Sequence, residues 1–141
     1  MKRTASAAWS GGLKAGTGTI STQSGVLNKT RYGFSTRFED GPGTNPEELI
    51  GAAHAGCFSM ALSAVLGKAG FTPDRIETRA EAMMEPGMDP GPTVTGMHLI
   101  VVATVPGITS AQFAEIAETA KAGCVISRAL AVPVTLDATL A

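Results

Sequence analysis

Asn45-Pro46-Glu47-Glu48-Leu49-Ile50-Gly51-Ala52-Ala53-His54-Ala55-Gly56-Cys57-Phe58-Ser59-Met60-Ala61-Leu62 is the stretch on which the fold turns. Its beginning is punctuated as a helix start. Asn45 suits the N-cap, Pro46 suits the first helical position, and Glu47 and Glu48 complement the positive end of the dipole. The spacing predicts a helix from about Pro46 to Leu66, ending near Gly67 or Gly70. From Ala52 to Ala61 the residues are small and apolar almost all round, which predicts a helix buried on most sides and closely approached by neighbouring backbones. This helix carries Cys57 and is the expected centre of the fold.

The residues before it read as short strands and turns. Ser6 to Trp9 is a candidate opening strand closed by Gly11-Gly12, and Gly16 to Ser21 and Val26 to Phe38 are further β stretches. Ser24-Gly25 and Asn28-Lys29 are turn signals, and Glu39 to Gly43 is a loop. After the helix, Arg75 to Met84 alternates apolar and charged residues with the period of a strand. Glu85 to Pro92 reads as loop, Thr93 to Val105 as a long strand broken by Pro106-Gly107, and Ser110 as the cap of a second helix carrying Phe113, Ile116, Ala117 and Ala120. Gly123 interrupts that helix before Cys124, a short helical turn follows, and Pro133 to Leu140 closes the chain as a strand. The order predicts a single α+β domain over residues 1–141, with helices segregated against antiparallel sheet.

Composition narrows the function. A net charge of −1 gives no electrostatic footprint for nucleic acid or an anionic membrane. Aromatic residues, at 5%, are too few for a base-stacking surface. Charged residues make up only 16% of the chain, below the usual quarter or so, which points to extra buried surface and a homodimer. Ala52 to Leu66, interrupted by His54, Ser59 and Ser63, is read as too short and too polar for a membrane span. Met1-Lys2-Arg3-Thr4 is not followed by an apolar run, so no secretory signal is expected. The two cysteines stand 67 positions apart without a C-x-x-C motif, which favours a reducing, cytoplasmic setting and transient thiol chemistry over a permanent bridge.

Each candidate for chemistry has an ordinary reading beside it. Cys57 on a buried helix fits an inert packed thiol as well as a nucleophile, because reactivity requires a stabilised thiolate. Cys124 lies at a helix start, where N–H groups favour an anion, and it too fits simple packing. Arg37 and Glu47 flank the Gly41-Pro42-Gly43 loop. A guanidinium beside a thiolate lowers its pKa and a carboxylate holds that guanidinium by a bidentate pair, against the plainer readings of a solvated strand arginine and a first-turn acid. Glu47 and Cys57, ten residues apart on one helix, lie about 15 Å apart and point about 80° away from each other, so a shared site needs a neighbouring loop or a second subunit. His54, three residues before Cys57, permits a Cys-His hydrolase or acyltransferase, or is a satisfied core histidine. A zinc site from His54, Cys57, His98 and Cys124 needs four separated positions with no ligand-spacing motif.

The run from Gly43 to Leu62 resembles the signature of the OsmC/Ohr family, the osmotically inducible protein C and organic hydroperoxide resistance proteins. Ser21 to Asn28, Tyr32 to Phe38, Gly70-Phe71-Thr72-Pro73 and Lys121-Ala122-Gly123-Cys124 are similar to its OsmC branch, so the resemblance spans essentially the whole chain. It implies an intertwined α+β dimer with active sites at the subunit interface, and reduction of hydroperoxides, organic ones preferred, without metal, flavin or haem. By that resemblance Cys57 matches the peroxidatic cysteine and Cys124 the resolving one. Glu47 matches the active-site glutamate and Arg37 the arginine, with Arg31 as the fallback. An external dithiol, often a lipoyl-bearing protein in the family, is the implied reductant. One departure stands out: Val125 follows Cys124 where the family usually has proline. A non-catalytic stress protein with two inert thiols is the remaining alternative.

Overall fold

The computed structural model describes residues 1–141, which form two compact units, Met1–Leu49 and Ile50–Ala141. In the first, β1 (Ala5–Ser10), β2 (Thr17–Thr22) and β3 (Thr30–Tyr32) make an antiparallel sheet in the order β1-β2-β3. Trp9 and Tyr32 pack across it with ring centroids 5.5 Å apart, and the missing side chain of Gly18 makes room between them. The expected strand from Val26 to Phe38 shrinks to β3, and Phe34–Phe38 is instead a short helix, α1. The cause is local. Thr36 Oγ1 accepts the Gly33 N–H at 2.8 Å and donates to the Gly33 carbonyl at 2.9 Å, which winds the backbone into a turn and removes it from the sheet ladder.

Helix α2 runs over Pro46–Lys68. Asn45 caps it as expected, its side-chain oxygen accepting the Glu48 N–H at 2.8 Å, while the Thr44 hydroxyl donates to Glu48 at 2.6 Å. The helix buries a single stripe, Gly51, His54, Phe58, Leu62 and Leu66, at helical spacing. Burial on most sides, expected from its small apolar residues, is not what a single chain provides: Met60 on the other side is 77% exposed. The membrane reading also needs correction. All 23 residues of the helix, with a mean hydropathy of 1.7 in their most apolar window, are long and apolar enough by length and composition to cross a bilayer. The buried stripe packs into a protein core nonetheless.

That core lies in the second unit. Strands β4 (Arg75–Glu85) and β5 (Thr93–Thr104) pair antiparallel, with a bulge at Met83/Met84. Helices α3 (Ser110–Gly123) and α4 (Val125–Ala129) follow, and β6 (Val134–Leu140) joins the far side of β5. The β5–β6 pair is parallel, from Met97↔Val134 to Ala103↔Leu140, where an antiparallel sheet was expected. The helical connection carries the chain back to the end at which β5 began, and such a crossover yields a parallel neighbour. The α+β class holds with this one mixed sheet. Leu99, Val101 and Ala103 on one face of β5 meet Phe58, Leu62 and Leu66 of α2 and Phe113, Ala117 and Ala120 of α3 in one buried cluster. Each large side chain there contributes about 1.5–3 kcal/mol by leaving water. The cap of α3 is Thr109 and not Ser110: Thr109 Oγ1 accepts the Gln112 N–H at 3.2 Å, and Gln112 Oε1 accepts the Thr109 N–H at 3.0 Å, a reciprocal capping box.

Candidate active site

The stripe that buries Phe58 and Leu62 also turns Cys57 toward the junction between α3 and α4. Gly123 ends α3, Cys124 serves as the N-cap of α4, and the two sulfurs lie 3.2 Å apart. Cys57 is half-buried and Cys124 is fully buried. Neither is bonded to the other, and the proton of their S–H···S contact has a sulfur at either end. Val125 fills the first position of α4, where proline is also well suited, so its presence leaves the two thiols in contact.

Opposing effects act on Cys124. Burial pushes its thiol pKa up, but the Ser127 N–H, the Cys57 thiol, the Ser127 hydroxyl and the Ile126 N–H all favour the anion and bring the net value below the ordinary 9.0. Neither N–H makes a close capping bond to the sulfur, so the backbone contribution is that of oriented N–H dipoles. Access runs the other way. Cys57 opens onto a shallow groove lined by Ala53, Met60, Ala61, Val125 and Ile126, almost wholly apolar, while Cys124 has no solvent-facing surface. A reagent from solution therefore meets Cys57 first.

His54 does not pair with Cys57. Its ring is fully buried and Nε2 lies 2.7 Å from Ser127 Oγ, while Nδ1 has no partner. Burial lowers its pKa below 6.5, so the ring is neutral at neutral pH. His98 of the four-residue zinc set lies on the opposite face of β5 from core residues Met97 and Leu99, where its Nδ1 meets Thr135 Oγ1 at 2.6 Å and its Nε2 meets Asp137 at 3.1 Å. Ser127 was not singled out from the sequence. The signal was available in the matched spacing of His54 and Cys57 on one helix and Cys124 and Ser127 on another.

The first unit holds the other expected pair. Arg37, on α1, donates from Nε at 2.9 Å and from Nη2 at 2.6 Å to Glu47 in the first turn of α2. Both bonds converge on Oε1, so the pair is not the fork-to-fork arrangement expected, and Oε2 is left buried without a partner. The guanidinium also lies 5.3 Å from the centre of the Phe38 ring. Of the two candidate arginines, Arg37 is the one at Glu47. Arg31 is exposed on β3, and its carbonyl accepts the Thr44 N–H.

Fold and site together define a small α+β protein carrying a close, unequally buried pair of free thiols. Residues 39–138 match the model of the OsmC-like protein family. The chain is 54% identical over 129 residues to Peroxiredoxin OsmC of Escherichia coli (strain K12), an alignment covering 92% of this chain and 90% of that protein. Among solved structures it is similar to an OsmC-like protein of unknown function from Vibrio cholerae, with a TM-score of 0.77, 15% identity, and 98% and 99% of the two chains covered. It is also similar to the organic hydroperoxide resistance protein OhrB of Bacillus subtilis, with a TM-score of 0.65, 25% identity and 98% of each chain covered. The chain belongs to the OsmC-like family.

Proposed function

We propose that this chain reduces hydroperoxides, organic ones preferred, with Cys57 as the attacking thiolate and Cys124 as the resolving thiol. The observation that carries this reading is the contact of an accessible and a buried sulfur at 3.2 Å. The Cys57 thiolate attacks the terminal peroxide oxygen, the O–O bond breaks, and the alkoxide leaves as an alcohol. The remaining sulfenic acid condenses with Cys124: an S–S bond forms, the S–O bond breaks, and the departing hydroxide leaves as water. A disulfide spans about 2.05 Å, so closure needs little movement. An external dithiol, a lipoyl-bearing protein being one source, then reduces the bridge by thiol–disulfide exchange. The apolar groove beside Cys57 suits the hydrocarbon part of an organic hydroperoxide.

Arg37, oriented by Glu47, is the proposed cationic partner of the attacking Cys57 thiolate. On a continuous helix Glu47 and Cys57 point apart, so the pair that serves each Cys57 is proposed to come from a second copy of the chain. The exposed Met60 side of α2 is the surface proposed to join the two copies of a homodimer. Within it, residues 1–141 act as one OsmC-like domain, and the reducing cytoplasm is the proposed compartment. The Cys-His alternative is disfavoured by the Nε2–Ser127 bond, which turns the ring away from a role as base for Cys57.

Anaerobic titration of the reduced protein with cumene hydroperoxide, read by thiol count and intact mass, tests the proposal. Loss of two thiols per chain with a two-hydrogen drop in mass is the expected result. Cys57→Ser is expected to abolish turnover, and Cys124→Ser to react once and then stop. Thiols that survive excess peroxide, or turnover retained in Cys57→Ser, would sink it.

A further inference from the structure

The thiol pair is one rung of two. On α2, His54 and Cys57 are three residues apart and share a face; on the segment entering α4, Cys124 and Ser127 are likewise three apart. The segments meet in opposite order, so that Cys57 faces Cys124 at 3.2 Å and His54 Nε2 faces Ser127 Oγ at 2.7 Å. Ser127 occupies the third position of α4, one turn on from the N-cap residue Cys124 and so on the same side of the helix start. Its hydroxyl is hydrogen-bonded to a fully buried imidazole and is near enough to the fully buried Cys124 sulfur to favour that sulfur's anion.

We propose that His54 positions the Ser127 hydroxyl to donate to the Cys124 sulfur once that thiol ionises, making Ser127 a catalytic hydrogen-bond donor in the resolving step and His54 its positioning residue. The proposal rests on the peroxidase reading above for the step it serves. Proton counting fixes the direction of the chain. A Cys124 thiolate only accepts, so the Ser127 hydroxyl must donate to it, and Ser127 Oγ is then free to accept from Nε2–H. A neutral imidazole protonated at Nε2 carries a bare lone pair at Nδ1, in agreement with the absence of any partner for that atom. The lowered pKa of Cys124 points the same way. Cys57 is the other titratable group at the sulfur, and the one basic side chain of α3, Lys121, is engaged by Glu118 at 2.7 Å.

The chemistry then balances without a further reagent. The Cys124 thiolate, held by Ser127, attacks the sulfur of the Cys57 sulfenic acid, and the leaving hydroxide takes up the proton that Cys124 had released, giving water and the disulfide. Attack on peroxide precedes this and does not use Ser127.

Single-turnover stopped flow separates the two steps. In Ser127→Ala, consumption of one equivalent of cumene hydroperoxide is expected to change less than about twofold, while disulfide formation slows about tenfold, the loss of a hydrogen bond to an ionised group. His54→Leu is expected to slow the same step, and His54→Gln, which restores an N–H at similar reach, to recover it in part. A second measurement does not depend on peroxide. In a Cys57→Ser background, the pH profile of Cys124 alkylation should move up by about one unit in Ser127→Ala. Resolving rates and alkylation profiles unchanged in Ser127→Ala and His54→Leu would overturn the proposal, as would equal slowing of both steps. If wild-type Cys57 forms no sulfenic acid, the peroxidase reading fails, and the alkylation shift still decides whether Ser127 holds the Cys124 thiolate.

Discussion

Cys57 and Cys124 are separated by 67 positions, and nothing in their spacing brings them together; α2 and the α3–α4 junction do so by packing around Phe58, Phe113 and Ala117. The sequence signal around Cys57 was long enough to nominate both thiols, Arg37 and Glu47. It did not disclose that Cys124 is the more buried sulfur or that Ser127 adjoins it, because both depend on how α4 docks. Burial of His54 has its own consequence for stability. Its folded pKa lies below the ordinary 6.5 because burial disfavours the charged ring. Between the folded value and 6.5 the unfolded chain binds a proton that the folded chain does not, so stability rises with pH across that window and is complete above it. Melting temperature should therefore fall on acidification below about 6.5, with a shallower slope in His54→Gln. Identical slopes in the two proteins would count against a buried neutral histidine.

Elements with local punctuation were the most legible. Asn45-Pro46-Glu47-Glu48 marks the start of α2 because each residue satisfies an orphan N–H or the dipole at that position, and the structure uses Asn45 in that way. Replacing Asn45 by Ala is expected to cost about 1 kcal/mol, read as a lowered urea midpoint with an unchanged m-value. A midpoint equal to wild type would mean that the Thr44–Glu48 pair carries the cap alone. The alternation of β4 was equally readable, since Ile76, Thr78 and Ala80 turn one way and Glu77 and Arg79 the other. Two features were not. The turn of α1 depends on one threonine hydroxyl bonding back to Gly33, which competes with strand pairing and leaves no periodic trace. The parallel direction of β6 follows from the path of the chain through α3 and α4, and strand periodicity is the same in either direction.

Across the molecule, the scarcity of charge and the bare side of α2 point the same way. Met60 stands almost fully exposed on an apolar helix, a position that a single chain leaves in water and a second copy would cover. The proposed dimer makes stability depend on protein concentration, since dissociation and unfolding are then linked. Met60→Asp is expected to shift the chain toward monomer in sedimentation and to lower its melting temperature. A wild-type protein that sediments as a monomer at micromolar concentration would remove the dimer and, with it, the route by which Arg37 reaches Cys57.

The unequal burial of the two sulfurs gives the proposed bridge between them a front and a back. Once joined, only the Cys57 end faces the groove, so a recycling thiol has one sulfur to strike and forms its transient adduct there. Cys124 is then the leaving group, and the same donors that favour its anion ease its departure. In the proposed cycle electrons thus enter the pair where the peroxide leaves its oxygen, and one doorway serves oxidant and reductant in turn.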